Sequence, residues 1–259
     1  MYSKSFNLEI KKKISSFKKK IVIDSDKSIS IRSFLISSIS QNISSIKNVL
    51  ESEDVFSTIE CLRKLGVKIK KSGKGNYLVY GKGLGSLHSK KNLELNFGNS
   101  GTLARLLIGI LATTPNIELK IKGDHSLNKR NMKKLIFLMS KFGATFLPRK
   151  KYNLPLKIIS SDMPVGINYT AEVSAQLKSA VILAGLNSYG TTKISESHKS
   201  RNHTENMLRN NLKAIKIKKG NTNFIKIFGK TDLKKININV PADPSSAAFY
   251  TALTLLNNN

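Results

Sequence analysis

The chain has 259 residues, 40% of them hydrophobic, which is long enough for one large core or two smaller ones and excludes a disordered composition. No apolar run reaches transmembrane length, since Arg105 and Lys178 interrupt the best candidates, and the opening MYSKSFNLEIKKK lacks the apolar core of a signal peptide; a cytoplasmic protein away from membranes is expected. The net charge of +28 admits an anionic partner, but only seven of the 44 basic residues are arginine and no zinc-finger, RNP or arginine-rich motif is present, so plain lysine usage of an AT-rich coding sequence is the preferred reading and no nucleic-acid partner is expected.

In chain order, residues 20–23 read as a short strand. DKSISIRSFLISSIS (26–40) then sets a short polar run before an apolar helix. EDVFSTIECLRKLGVKIKK (53–71) reads as a helix, a break and a strand. Val55, Ile59, Leu62 and Leu65 recur at helical spacing, Gly66 sits where a helix C-cap takes positive φ, and Val67 to Ile69 alternate at strand period. Cys61, the single cysteine, falls inside this helix and reads as a core thiol; it excludes an internal disulfide framework. Residues 77–80 and 93–96 are strand-like. GNSGTLARLLIGILA (98–112) repeats the polar-run-then-helix pattern, followed by a strand at 117–121. NMKKLIFLMSKFGATFLPR (131–149) repeats the helix, break and strand, with Gly143 at the break. Residues 156–159 read as a strand. EVSAQLKSAVILAGL (172–186) is the third polar-run helix; a strand at 191–195, the helix and strand of HTENMLRNNLKAIKIKK (203–219) and a strand at 224–228 follow. ADPSSAAFYTALTLL (242–256) opens a fourth copy.

The repeat unit is therefore about 70 residues of two helices and several strands, used three times and begun a fourth. Ser28, Ser100, Ser174 and Ser245 mark equivalent places. A fourth copy that halts after its first helix leaves an apolar face without partners, so an incomplete chain is expected.

The polar runs carry the chemistry. A helix N-terminus offers unpaired N–H groups and positive potential; small residues let an anion approach, and Ser or Asn adds hydrogen bonds. Any one run also fits an ordinary N-cap. Cations gather beside several of them: Lys27 and Arg32 with the first, Arg130 after the second in GDHSLNKR, Lys178 in the third and Arg201 after it in SHKSRNHTE. Arg105, one turn into the second helix, either lends charge or braces a loop carboxylate. Four of the seven arginines (32, 105, 130 and 201) fall in or beside these segments, and a guanidinium fork holds phosphate or carboxylate at two points. The reading is a pocket for small, multiply charged anions lined by converging helix starts. Asp243, in VPADPSSAAF, is either an N-cap or a general base. Four scattered histidines show no metal-ligand spacing, so no metal and no cofactor are expected.

DKSISIR, FGNSGTLARLL, GDHSLNKR, VSAQLKSAVILAGL, SRNHTENML and VPADPSSAAF together resemble the enolpyruvyl transferase family, on its shikimate-phosphate branch. The resemblance runs in order from about residue 20 to the end of the chain. It implies an α/β (α+β) architecture, an inside-out α/β barrel of repeated βαβαββ units with helices inside and sheets outside. Residues 20–239 would form one three-unit domain. Residues 1–19 and 240–259 would be fragments of a second domain, with substrates bound in the cleft between the two.

The implied reaction moves the enolpyruvyl group of phosphoenolpyruvate to the 5-hydroxyl of shikimate 3-phosphate and releases phosphate, by addition and elimination without metal or organic cofactor. Both substrates are anions, which suits cationic helix starts. By position, Lys27 would touch both substrates. Ser28 and Arg32 would hold shikimate 3-phosphate, with Arg32 on its carboxylate. Asn99, Gly101 and Arg130 would line the phosphoenolpyruvate site, where glyphosate would compete. Ser174 and Ala175 would face the shikimate phosphate and Gln176 would lie between the substrates. Ser197 or Ser200, with Arg201, would complete the phosphate site. Asp243 would take the 5-hydroxyl proton. A monomer is implied for the full-length protein.

The chain departs from the family pattern in four places. Asp24-Ser25 stands where Pro-Gly is usual, Asn131 follows Arg130 in place of proline, and Ala242 replaces the glycine before Asp243. The later lysine, glutamate and arginine motifs have no counterpart before Asn259, so weak binding and little or no turnover are expected of the chain as given. Two rivals remain. The sister transferase acting on UDP-N-acetylglucosamine typically carries a reactive loop cysteine, which Cys61 does not match. A basic, repeat-built nucleic-acid-binding protein would need no chemistry at all.

Overall fold

Asp26, Ser100 and Ser174 each close a short polar run, and each caps a long helix with a side-chain oxygen. Ile29 N donates to Asp26 Oδ1 at 2.7 Å, Leu103 N to Ser100 Oγ at 3.2 Å and Leu177 N to Ser174 Oγ at 3.4 Å. Each bond satisfies one amide that helix geometry leaves without a partner. The computed structural model, which describes Glu9 and residues 20–256, thus shifts the register of the repeat: Ser28 and Ser245 lie inside their helices, two residues beyond the capping positions.

The first copy runs α1 (Lys27–Ile39), β1 (Ile43–Lys47), α2 (Glu53–Lys64), β2 (Lys68–Gly73) and β3 (Asn76–Tyr80). The second runs β4 (Glu94–Asn96), α3 (Gly101–Thr113), β5 (Glu118–Lys122), the short α4 (His125–Asn128), α5 (Lys133–Lys141), β6 (Thr145–Leu147) and β7 (Leu156–Ile159). The third runs β8 (Asn168–Ala171), α6 (Ala175–Leu186), β9 (Thr191–Glu196), α7 (His203–Leu208), β10 (Ile215–Lys218) and β11 (Asn223–Phe228). β12 (Asn237–Asn239) and α8 (Pro244–Leu256) follow. Gly66 and Gly143 take φ of 87° and 98° just after α2 and α5, where a residue with a Cβ would be strained.

The strands form three mixed four-stranded sheets of one plan, so the chain is α/β. Each has one parallel pair at an edge (β4 with β5, β8 with β9, β12 with β1) and two antiparallel pairs. The leading strand of the first sheet is β12, from the far end of the unit, and not residues 20–23, which carry no regular structure. Side chains pin this long-range pairing. Asn48 Nδ2 donates to Val240 O at 2.8 Å, Ile236 N to Ser44 Oγ at 3.1 Å and Ser45 N to Asn237 Oδ1 at 3.2 Å. β1, β8 and β12 are short and polar (ISSIK, NYTA, NIN), so hydrophobic alternation does not reveal them. Ser25–Pro241 forms one compact unit; the described residues of Met1–Asp24 and Ala242–Asn259 form another.

Burial separates two kinds of helix. α2 and α5 bury one stripe, such as Val55, Ile59 and Leu62 or Leu135 and Met139. α3 buries every residue except Arg105, and α1 and α6 are buried along all but their first turns, so these three are interior helices. α3 and α6 approach closely at Gly109, where an added Cβ would lie 2.6 Å from Ala180 O. The exposed faces of the sheets hold much of the lysine: Lys120 sits opposite Lys157, and Lys193, Lys226 and Lys216 form a row across the third sheet.

One ionic cluster is buried in this frame. Lys178 of α6 is fully buried, with Nζ 2.6 Å from Glu196 Oε1 at the end of β9 and 2.7 Å from Glu205 Oε1 of α7. It is therefore committed to the interior and is not a cation free to meet a ligand at the third helix start. Burial alone would raise the pKa of Glu196; hydrogen bonds from Lys178, Ser200 and Asn223 outweigh that and hold it at about 2. Among the described residues no helix is long and apolar enough to cross a membrane.

Two outcomes follow for stability. Gly109→Ala should lower the urea midpoint by the equivalent of about 1–3 kcal/mol, although alanine is the better helix former, because the α3 and α6 backbones must separate. Glu196 lies below its ordinary value of 4.5, so its contribution is complete above that pH and is lost as pH falls toward 2; Glu196→Gln should flatten this acid limb in pH-resolved urea melts.

Candidate anion-binding site

The first turns of the interior helices are joined by side chains. Arg32, one turn into α1 and buried, donates from Nη1 to Ser28 O at 3.1 Å, from Nε to Thr204 Oγ1 of α7 at 3.0 Å and from Nη2 to Ser179 Oγ of α6 at 3.3 Å. Thr204 Oγ1 also donates to Ser179 Oγ at 2.9 Å. None of the acceptors on Arg32 is a carboxylate, so no acid takes its fork at two points. Burial lowers the pKa of Arg32 to about 10; Glu205 and Asp26 oppose that shift and Arg201 adds to it.

α6 meets α3 through Gln176, whose Nε2 donates to Thr102 Oγ1 at 3.0 Å. At the start of α3, Arg105 Nη1 donates to Gly101 O at 3.1 Å, and Arg130 Nη2 donates to Asn99 Oδ1. Arg105 thus braces a backbone carbonyl and not a loop carboxylate. A Cβ on Gly101 would stand 2.8 Å from Nη1 of both Arg105 and Arg130, so the two guanidinium groups lie within about 6 Å of each other, close enough to repel. The pKa of Arg105 is lowered, by burial first and by Arg130 second. Glycine at 101 is what lets both groups fold over the helix start. A bound anion would relieve their repulsion.

Ser28, Arg32, Gly101, Ala175 and Gln176 lie in the first two turns of the linked helices α1, α3 and α6, Ser174 caps α6, and Asn99, just before the α3 cap, is met by Arg130 from the connection between α4 and α5. Other residues read from the sequence have different attachments. Lys27 Nζ is 3.1 Å from Asp54 Oδ2 of α2 and must leave that carboxylate to reach a ligand. Ser197 Oγ lies 3.2 Å from His198 Nδ1 in an exposed loop, whereas Ser200 gives both N and Oγ to Glu196 Oε1, at 3.0 and 2.7 Å. Asp243 belongs to the other unit, where it caps α8: Ser245 N donates to Oδ1 at 2.9 Å and Ser246 Oγ to Oδ2 at 3.1 Å.

Sequence reasoning missed Thr102, Ser179, Thr204, Glu196, Glu205 and Asp54. Thr102, Ser179, Thr204 and Glu205 lie inside GTLARLL, SAQLKSA and NHTEN, but a string does not say what each side chain touches; only the fold sets Thr204 and Ser179 on Arg32, Asp54 on Lys27, and Glu196 and Glu205 on Lys178. Among the described residues no cluster of His, Cys, Asp and Glu could hold a metal ion.

Comparison with known proteins adds an independent line. The family description EPSP synthase (3-phosphoshikimate 1-carboxyvinyltransferase) matches residues 11–259. The 3-phosphoshikimate 1-carboxyvinyltransferase of Parvibaculum lavamentivorans is 40% identical over 239 residues, which is 91% of this chain and 52% of the relative. That of Bacillus subtilis is 40% identical over 241 residues, 93% of this chain and 55% of the relative. The structure of EPSP synthase from Acinetobacter baumannii superposes with a TM-score of 0.80 at 35% identity, covering 91% of this chain and 53% of that one. The chain spans about half the length of the curated relatives it matches. By a match that takes in nearly all of its residues, the chain belongs to the EPSP synthase (3-phosphoshikimate 1-carboxyvinyltransferase) family.

Proposed function

We propose that the protein transfers the enolpyruvyl group of phosphoenolpyruvate to the 5-hydroxyl of shikimate 3-phosphate, a step of aromatic amino acid biosynthesis. The supporting observation is the meeting of three interior helix starts around Arg32, Arg105 and Arg130. Positive helix ends and guanidinium forks suit two substrates that carry phosphate and carboxylate groups. In the reaction the 5-hydroxyl oxygen bonds to C2 of phosphoenolpyruvate while its methylene carbon takes a proton. The tetrahedral adduct then loses phosphate and a methyl proton, and the double bond returns. Neither half needs a metal or an organic cofactor; it needs charge held in place before the substrates arrive.

In this reading Ser28, Arg32, Ser174, Ala175, Ser197 and Arg201 hold shikimate 3-phosphate. Asn99, Gly101 and Arg130 hold phosphoenolpyruvate, and Lys27 and Gln176 serve both. Asp243 takes the hydroxyl proton. We read the three sheets as the outer layer of an inside-out α/β barrel, residues 20–239 as one domain, and residues 1–19 and 240–259 as parts of a second. A cytoplasmic monomer is the matching whole. Cys61 speaks against the UDP-N-acetylglucosamine branch: it is buried, its Sγ donates to Asn96 O at 3.4 Å, and burial pushes its pKa up to about 12, the mark of an inert thiol.

Titration calorimetry at several salt concentrations tests the reading. Saturable binding of shikimate 3-phosphate in preference to shikimate supports it. Equal affinity for any polyanion, with a steep salt slope, supports a nucleic-acid module and overturns it. Arg130→Gln should weaken phosphoenolpyruvate binding by about 10- to 100-fold, the worth of one charge-assisted contact. Gly101→Ala should weaken it too, by driving a methyl group against both guanidinium groups; unchanged affinity in both variants would remove phosphoenolpyruvate from this helix start.

A further inference from the structure

We propose that the buried cluster of Lys178, Glu196 and Glu205 is a positioning device. It holds the 197–202 loop in the conformation that receives the substrate phosphate, and so sets selectivity for the phosphorylated over the unphosphorylated substrate. The proposal rests on the reading that Ser197 and Arg201 meet that phosphate.

The loop is strung between two carboxylates that share one ammonium. Glu196 ends β9 at its start, and Glu205 lies in the first turn of α7 just past its end. Lys178 Nζ touches both, at 2.6 and 2.7 Å. Glu196 also reaches into the loop, taking Ser200 N at 3.0 Å and Ser200 Oγ at 2.7 Å on the oxygen that Lys178 occupies, while Asn223 Nδ2 holds the other oxygen at 3.2 Å. The next residue of α6, Ser179, grips the preceding residue of α7, Thr204, and both contact Arg32. Two adjacent positions of one helix therefore fix two adjacent positions of another, and the phosphate loop spans the gap. Residues 197–199 and Arg201 are exposed, so the protein interior does not shape the loop by packing.

A purely structural role explains the cluster poorly. Buried ion pairs are often replaced by apolar side chains without loss of stability, so stability alone does not call for three interior charges. Holding a loop in its bound shape before the ligand arrives does call for fixed hydrogen bonds at its ends.

The test uses the whole chain and two variants. The first replaces the charges together (Lys178→Met with Glu196→Leu and Glu205→Leu), leaving no carboxylate unpaired. The second, Asn223→Ala, removes one partner of Glu196 from outside both the loop and the core, and keeps the test alive if the first does not fold. In each we measure affinity for shikimate 3-phosphate and for shikimate, with amide hydrogen exchange at Ser200 and Arg201 in the free protein. Expected are faster exchange at both amides and a fall in the phosphate preference, about 10- to 100-fold in the triple variant and smaller in Asn223→Ala, with shikimate affinity unchanged in Asn223→Ala; supporting groups behind a ligand shell typically act on this scale. A folded variant that keeps both the preference and the exchange rates overturns the proposal alone. A wild-type chain that does not distinguish shikimate 3-phosphate from shikimate overturns the functional reading and this proposal with it.

Discussion

A helix that is buried on every side can meet water only at its ends. That constraint governs the Ser25–Pro241 unit. α1, α3 and α6 are interior helices, so polar groups along them find partners inside the protein, as Lys178 does, and the residues that keep any exposure lie at or near their amino ends. Their amino ends carry the positive pole and the unpaired amides, and Arg32 and Gln176 tie those ends to one another. One unit plan used three times thus links three positive helix ends, which in the proposed reading act together on one pair of anions. A single surface helix with the same cap would offer a small fraction of that field.

The two kinds of cation divide by task. Lysines crowd the exposed faces of the sheets, even directly opposite one another, as Lys193, Lys226 and Lys216 are. Water screens them there, and a flexible ammonium can swing clear of its neighbour. Arg32, Arg105 and Arg130 gather at the helix starts, where shape matters more than charge alone. Arg32 makes three bonds in three directions from one planar group, and Arg105 and Arg130 fold over Gly101 in close company. The net charge of +28 is therefore a poor guide to the site: most of it lies elsewhere, and four of the seven arginines carry the information.

Much of the helical frame was legible in the residues. Apolar periodicity and the small-residue runs gave all the long helices, and Gly66 and Gly143 gave two helix ends, because each depends on local physics. The alignment on serines was two residues out for the first and fourth copies. There aspartate does the capping, and Ser28 and Ser245 sit inside their helices. The short polar strands were illegible, since β12 is a strand only because β1 offers it an edge. Lys178 misled for a related reason. Its place near a helix start suggested a ligand cation, but Glu196 and Glu205 meet it only in the fold, from 18 and 27 residues away in the sequence.

The origin of β12 also fixes how the three copies depend on one another. In a linear array each repeat is completed by its neighbour, and stability grows by addition. Here the first sheet is completed by a strand that follows the third copy, pinned by Asn48 on Val240 and Ser44 on Ile236. The first copy therefore remains unfinished until the last has been made, and its chain ends are joined where Asp26 N donates to Pro241 O at 2.8 Å. Asp26 is also the cap of α1, so the closing contact and the first helix start are the same residue. An anion site built on that start cannot form piecemeal. In the proposed reading it would need all three copies folded, because Asp26 at the first helix start is held by Pro241, which follows the third copy.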